Sequence, residues 1–251
     1  MPVDLYCHIV APFCRSVILL SEALGVELNY IEVNVLKKEH LKPEFLAINP
    51  QHCIPTLVDG DVVVWESNAI LIYLAEKYGT EGKKYYPDDV VERSKVNRLL
   101  FFQLGTFHRA LSTYYYPIIA GIGEGKPEDF RKVQDAVATM DRFLDGNKWL
   151  AGADLTVADF SLAISVAALE GAIKFDLTVY KNVNRWYQQC KQEFTKFEEL
   201  TRDASERSQE MVAALRQYKL DEINSAREPC SSGINNNNDP PPPKPPCPDS
   251  A

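Results

Sequence analysis

The sequence predicts an α/β N-terminal domain joined to an all-α C-terminal domain. Three observations predict it. Up to Gly79, strand-like and helix-like apolar spacings alternate in the order β-α-β-α-β-β-α. Past Gly79 that alternation stops, and from Asp88 to Leu220 only helical spacing persists. The chain has 251 residues, 45% hydrophobic and 25% charged, which is enough apolar material for two cores.

Each element has a local cause. Leu5 to Ile9 reads as a short strand. Pro12 to Leu24 reads as a helix, with Val17, Ile18, Leu20, Ser21 and Leu24 near helical spacing and Gly25 as its stop. Leu28 to Val35 is a second strand, and Pro43 to Ile48 a short helix with proline in its first turn. Thr56-Leu57-Val58 and Val62-Val63-Val64-Trp65 flank Asp59-Gly60, a hairpin signal. Ser67 is placed to cap a helix from Asn68 to Tyr78, closed by Gly79.

A polar linker over 80–89 leads to five helical stretches: Val90 to Ala120, Pro127 to Leu144, Thr156 to Leu169, Asn182 to Phe194 and Glu198 to Leu220. Thr156-Val157-Ala158-Asp159 has the spacing of a capping box. The expected domains are therefore 1–79, sheet-containing, and 90–222, all-helical, with a tail over 223–251. Of the chain's 16 prolines, 8 lie in that tail, beside four consecutive asparagines. With one aliphatic residue, Ile234, from Pro229 onward and no aromatic one, the tail is expected to be disordered, and its Pro240–Pro243 run is a candidate ligand for a polyproline-binding partner.

Composition excludes several functions. A net charge of −8 argues against nucleic-acid or anionic-membrane binding. No apolar run has the length of about 20 residues that a membrane span requires, and the start Met1-Pro2-Val3-Asp4 lacks the basic region of a secretory signal. The six cysteines have no zinc-ligand spacing. Reduced thiols, a cytoplasmic setting and no metal are expected.

Three segments carry candidate chemistry. In Asn49-Pro50-Gln51-His52-Cys53-Ile54-Pro55-Thr56, a proline entering a strand suits a cis bond, which leaves the main chain of Ile54 open to an extended peptide; a plain loop proline is the other reading. Glu66-Ser67-Asn68 opens a helix whose N–H groups suit a carboxylate, or is an ordinary cap. Ala11-Pro12-Phe13-Cys14-Arg15-Ser16 places Cys14 one turn into a helix. There it is either a thiol activated by the helix start or a buried structural cysteine. Phe101, Phe102, Phe107, His108 and Tyr114-Tyr115-Tyr116 make the first long helix aromatic, as core, dimer interface or pocket wall.

Taken together, Asp4-Leu5-Tyr6, Cys14-Arg15-Ser16-Val17, Glu39 to Phe45, Asn49 to Leu57, Trp65-Glu66-Ser67, Leu155 to Asp159 and Asn182 to Trp186 resemble, in order and spacing, a cytosolic glutathione transferase, most like the insect delta class with epsilon as neighbour. The resemblance runs from residue 4 to about 220. It implies a thioredoxin-like domain that binds glutathione as co-substrate, a helical domain that holds a small apolar electrophile, and a homodimer. It places glutathione at His40, His52, Cys53, Ile54, Pro55, Glu66, Ser67 and Asn68. It places the hydrophobic pocket at Ala11, Pro12, His108, Leu111 and Tyr116.

Two departures stand out. Delta enzymes carry a serine where this chain has Ala11, so no hydroxyl there reaches the glutathione sulfur, and no catalytic residue is assigned. Delta members commonly carry an arginine at the position of Asn68, paired with an acid at that of Gln103; here both charges are absent together, which suits a hydrogen-bonded Asn–Gln pair in place of an unpaired buried charge. A free thiol of pKa about 8.5 is only a few per cent ionised at neutral pH. A hydrogen bond to a charged group contributes about 1.5–3 kcal/mol, so conjugation is expected to be weakened about ten- to a hundredfold. Tyr6, Cys7, His8 and His108 are the nearby substitutes, and none is assigned the role. The expected function is thus glutathione conjugation with altered thiol activation. The alternatives are a weakly catalytic or non-catalytic binding protein on the same fold, and a scaffold that docks through its tail.

Overall fold

Strand β1 (Val3–Cys7) lies at the centre of a four-stranded sheet of order β2-β1-β3-β4. It pairs in parallel with β2 (Leu28–Glu32) and antiparallel with β3 (Thr56–Asp59), which forms the expected hairpin with β4 (Val62–Trp65). The computed structural model describes residues 2–80, 85–121 and 123–227.

Alternation along β1 sets the layers. Val3, Leu5 and Cys7 are buried in a core shared with α1 (Pro12–Leu24) and α3 (Ser67–Tyr78). Tyr6 sits edge-on against Phe45 of α2 (Pro43–Ile48), with ring centroids 5.7 Å apart. The strand starts and ends earlier than expected, because His8 already belongs to the turn: its carbonyl accepts from the N–H of Ala11 at 2.9 Å. β2 likewise ends at Glu32 rather than Val35. Helix α3 begins one residue early: Glu66 is its N-cap, at φ 68°, and no side chain caps it. Ser67 is the first helical residue, and the expected capping role falls away.

The helical domain packs on the sheet domain through α1 against α7 (Val157–Ile173). The stretch expected as one helix from Val90 to Ala120 is α4 (Val90–Phe102), a π-helical turn at Gln103–His108, and α5 (Arg109–Ala120). A π turn holds one extra residue, and one residue rotates a helix by about 100°. That rotation lets Gln103 be buried while Phe107, His108 and Leu111 face the cavity described below. Then follow α6 (Pro127–Phe143), α8 (Lys181–Glu193) and α9 (Phe197–Arg227). Helix α9 continues through 223–227, which the sequence reading placed in a disordered tail; the polyproline stretch lies outside the described residues.

Two of the motifs meet at one buried carboxylate. The Asp159 Oδ2 closes the capping box with Thr156, while Oδ1 accepts from the N–H of Leu150 at 3.0 Å and from Trp186 Nε1 at 2.9 Å. Burial raises the Asp159 pKa, and these donors oppose the rise.

Candidate functional site

Asn49 organises the loop that enters β3. It is fully buried; its Nδ2 donates to the Cys53 carbonyl at 3.1 Å and to Thr56 Oγ1 at 2.8 Å, and its Oδ1 accepts from the N–H of Gln51 at 2.9 Å. Its Nδ2 also lies 3.5 Å from Cys53 Sγ. The loop carries His52 in the left-handed region, at φ 47°, and then the cis peptide Ile54–Pro55. Among the described residues no hydrogen bond engages the Ile54 main chain.

A second wall comes from Glu66 and the start of α3. Gln51 bridges it, accepting from Trp65 Nε1 and donating to Glu66 Oε1, each at 2.9 Å. With no side-chain cap, the first N–H groups of α3 remain open to a ligand. His40 approaches His52, with ring centroids 6.0 Å apart, and its Nδ1 is buried without a partner. Burial, and secondarily His52, hold the His40 imidazole below its ordinary pKa. An unpaired main-chain segment, an uncapped helix start and an orphaned ring nitrogen suit a peptide ligand with carboxylates.

Ile54 also lines an apolar cavity of about 420 Å³ between the two domains. The five residues expected to form a hydrophobic pocket, Ala11, Pro12, His108, Leu111 and Tyr116, all line it. His108 packs edge-on against Phe13, centroids 4.5 Å apart, and burial lowers its pKa. Helix α1 opens into the cavity with Ala11 as an N-cap that makes no side-chain bond. Pro12 has no N–H and those of Cys14 and Arg15 donate to the Ala11 carbonyl, so the N–H of Phe13 and the positive dipole end are what a thiolate placed there would meet.

The substitute donors separate clearly. Tyr6 lies on the α2 face, and Cys7 is in the core, its thiol pushed up to about 11 by burial and by Glu32. His8 lines the cavity, yet both ring nitrogens are engaged: Nδ1 accepts from the N–H of Val10 at 3.4 Å, and Nε2 lies 3.6 Å from Glu32 Oε1. His108 remains. Tyr115, one of the aromatic residues offered as core, dimer interface or pocket wall, joins it in lining the cavity. Cys14 is fully buried and its thiol is pushed up by burial, so it is structural.

Asn68 departs from its expected place. Its side chain turns away from the peptide groove: Nδ2 donates to the Leu100 carbonyl and to Gln103 Oε1, each at 3.1 Å, and Oδ1 accepts from Ser161 at 2.8 Å. What it retains for a ligand is its main-chain N–H at the start of α3. Asn49, Gln51 and Arg15 received no role from the sequence reading. Asn49 and Gln51 stand inside the quoted loop motif, and only the fold reveals what they hold.

A thioredoxin-like sheet with an unpaired main-chain edge thus faces an apolar cavity walled by helices. Residues 1–76 match the profile described as glutathione S-transferase, N-terminal domain, and residues 124–201 that of glutathione S-transferase, C-terminal domain. A delta-class glutathione transferase of Nilaparvata lugens is 36% identical, with a TM-score of 0.80 over 85% of this chain and 100% of that one. Glutathione S-transferase 1-6 of Anopheles dirus species B is 33% identical, with a TM-score of 0.75 over 84% and 99% of the two chains. An epsilon-class glutathione S-transferase of the housefly Musca domestica is 29% identical, with a TM-score of 0.77 over 85% and 98%. The chain belongs to the glutathione S-transferase family, with relatives in the insect delta and epsilon classes.

Proposed function

We propose that this chain conjugates glutathione to small apolar electrophiles, a detoxification-type activity, with weaker thiol activation than a serine-bearing site provides. The observation that carries the reading is the unpaired main chain of Ile54, which joins the uncapped start of α3 to the apolar cavity. Glutathione would pair its cysteinyl unit with Ile54 and hold its γ-glutamyl end at Glu66, Ser67 and the N–H of Asn68. His40 and His52 would receive the other end. The sulfur would then lie near Ala11, where the start of α1 favours the thiolate and no hydroxyl assists it.

A second reading is favoured by Ala11 and by the engagement of both His8 nitrogens: a protein that binds glutathione and an apolar ligand with little turnover. Steady-state conjugation of glutathione with an activated aryl halide separates the two. Turnover that is lost in Glu66→Ala supports the enzyme; turnover untouched by that substitution contradicts the placement of glutathione.

The protein would act in the cytoplasm as a homodimer. Phe101 and Leu104, one turn apart and 76% and 47% exposed, support a surface that a second copy covers. Sedimentation showing only monomer at micromolar concentration would contradict this.

A further inference from the structure

We propose that Arg15 forms an anion-accepting subsite in the cavity, so that the second ligand is an apolar molecule bearing a carboxylate. The inference rests on reading the cavity as the pocket of the second ligand. Arg15 lies on α1, one turn past Ala11, about 6 Å along the helix. It lines the cavity, is only 5% exposed, and its Nε is buried with no partner. No hydrogen bond or ion pair reaches its guanidinium among the described residues.

Among the described residues the surroundings offer no counter-charge. No aspartate or glutamate lines the cavity among the described residues, and Arg15 is its one lysine or arginine. Nearby Tyr187 donates to Glu170 at 2.9 Å, and Glu170 has its own cation in Lys191 at 3.6 Å. Burial pulls Arg15 down to about 10, which leaves it charged at neutral pH. Taking a guanidinium out of water without an anion is among the costliest burials a fold can carry. A ligand carboxylate would meet that need, since its two oxygens match the guanidinium fork. The ligand's apolar body would lie against the small side chains of Ala167, Ala168 and Ala172 on α7, which leave room for it.

Isothermal titration calorimetry on the full chain tests this with decanoate and decan-1-ol, which share a chain and differ in charge. The native protein should bind decanoate about tenfold or more tightly than the alcohol. Arg15→Met should abolish that preference, and Arg15→Lys should keep part of it. S-methylglutathione, titrated in parallel, should bind all three proteins alike. Equal affinities for acid and alcohol in the native protein would overturn the proposal, and that comparison stands even if a variant fails to fold. A preference that survives Arg15→Met would overturn it too. So would a parallel loss of S-methylglutathione binding in Arg15→Met, which would assign Arg15 to the peptide. If the native protein fails to bind S-methylglutathione yet keeps an Arg15-dependent preference for decanoate, the transferase reading fails and the subsite stands.

Discussion

Asn68 and Gln103, one from each domain, share a hydrogen bond of 3.1 Å that spans the join between sheet and helices. The amide of Gln103 passes it on to Ser165 at 3.0 Å, and Ser165 donates to the Ser161 carbonyl at 2.9 Å. The Ser161 hydroxyl returns to Asn68 Oδ1 at 2.8 Å, so a neutral network closes through the Ser161 main chain and avoids a buried charge. An Asn68→Ala/Gln103→Ala double-mutant cycle by urea unfolding should give a coupling of about 1 kcal/mol. Asn68→Arg alone should cost about 3 kcal/mol, because it buries a guanidinium opposite an amide. Adding Gln103→Glu should recover most of that loss. Additive single mutants would mean that the network does not act as a unit.

Ala11 is a poor N-cap at a position where serine is favoured. Ala11→Ser should raise stability by about 1 kcal/mol through capping. It should also raise kcat/KM for glutathione conjugation about ten- to a hundredfold by donating to the thiolate. Thermal unfolding and steady-state kinetics separate the two effects. A stability gain without an activity gain would mean that the hydroxyl serves the helix and not the sulfur.

Asp159→Asn should be among the most damaging single changes. The carboxylate receives the main-chain N–H groups of Leu150 and Thr156, the Thr156 hydroxyl and Trp186 Nε1. An amide nitrogen facing any of them is a donor against a donor. The amide nitrogen replaces one oxygen and so leaves two of these donors unpaired; at about 1–3 kcal/mol for each, the loss should be about 2–6 kcal/mol by urea unfolding. A cost below about 1 kcal/mol would show that the hub relaxes around the amide.

Acid should weaken the fold at its histidines first. Burial holds His40 and His108 below the ordinary value of 6.5 in the folded chain. As pH falls, the unfolded chain therefore binds protons first, so stability is undiminished above about 6.5 and declines below it until the folded imidazoles titrate. The His40→Asn/His108→Gln variant should show a flatter decline in urea midpoint from pH about 7 to about 5. An equally steep decline would assign the acid sensitivity to other groups.

Much of the fold is legible because its signals are local. The Asp59-Gly60 turn, Gly25 as helix stop and the Thr156 capping box each declare themselves within a few residues. The π turn at Gln103–His108 does not, because the contacts it accommodates, Gln103 with Asn68 and Ser165, are distant in sequence. Asn68 carries two expectations, a ligand contact beside the peptide groove and a partner for Gln103, and its side chain takes the second. The unpaired state of Arg15 is equally invisible in sequence, since the lack of a partner is a property of the surroundings. Alternation along β1 separates Cys7 from Tyr6, but only the fold shows that Val10 and Glu32 engage both nitrogens of His8.

The most direct test of the account is the thiolate absorbance of the protein–glutathione complex, followed in the ultraviolet from pH about 5 to about 9, with binding confirmed on the same sample. The account predicts a thiol that titrates below its free value of about 8.5 by less than about two units, because the start of α1 acts without a hydroxyl, and that falls further in Ala11→Ser. Bound glutathione that titrates at its free value would contradict it and leave a protein that holds glutathione without activating it.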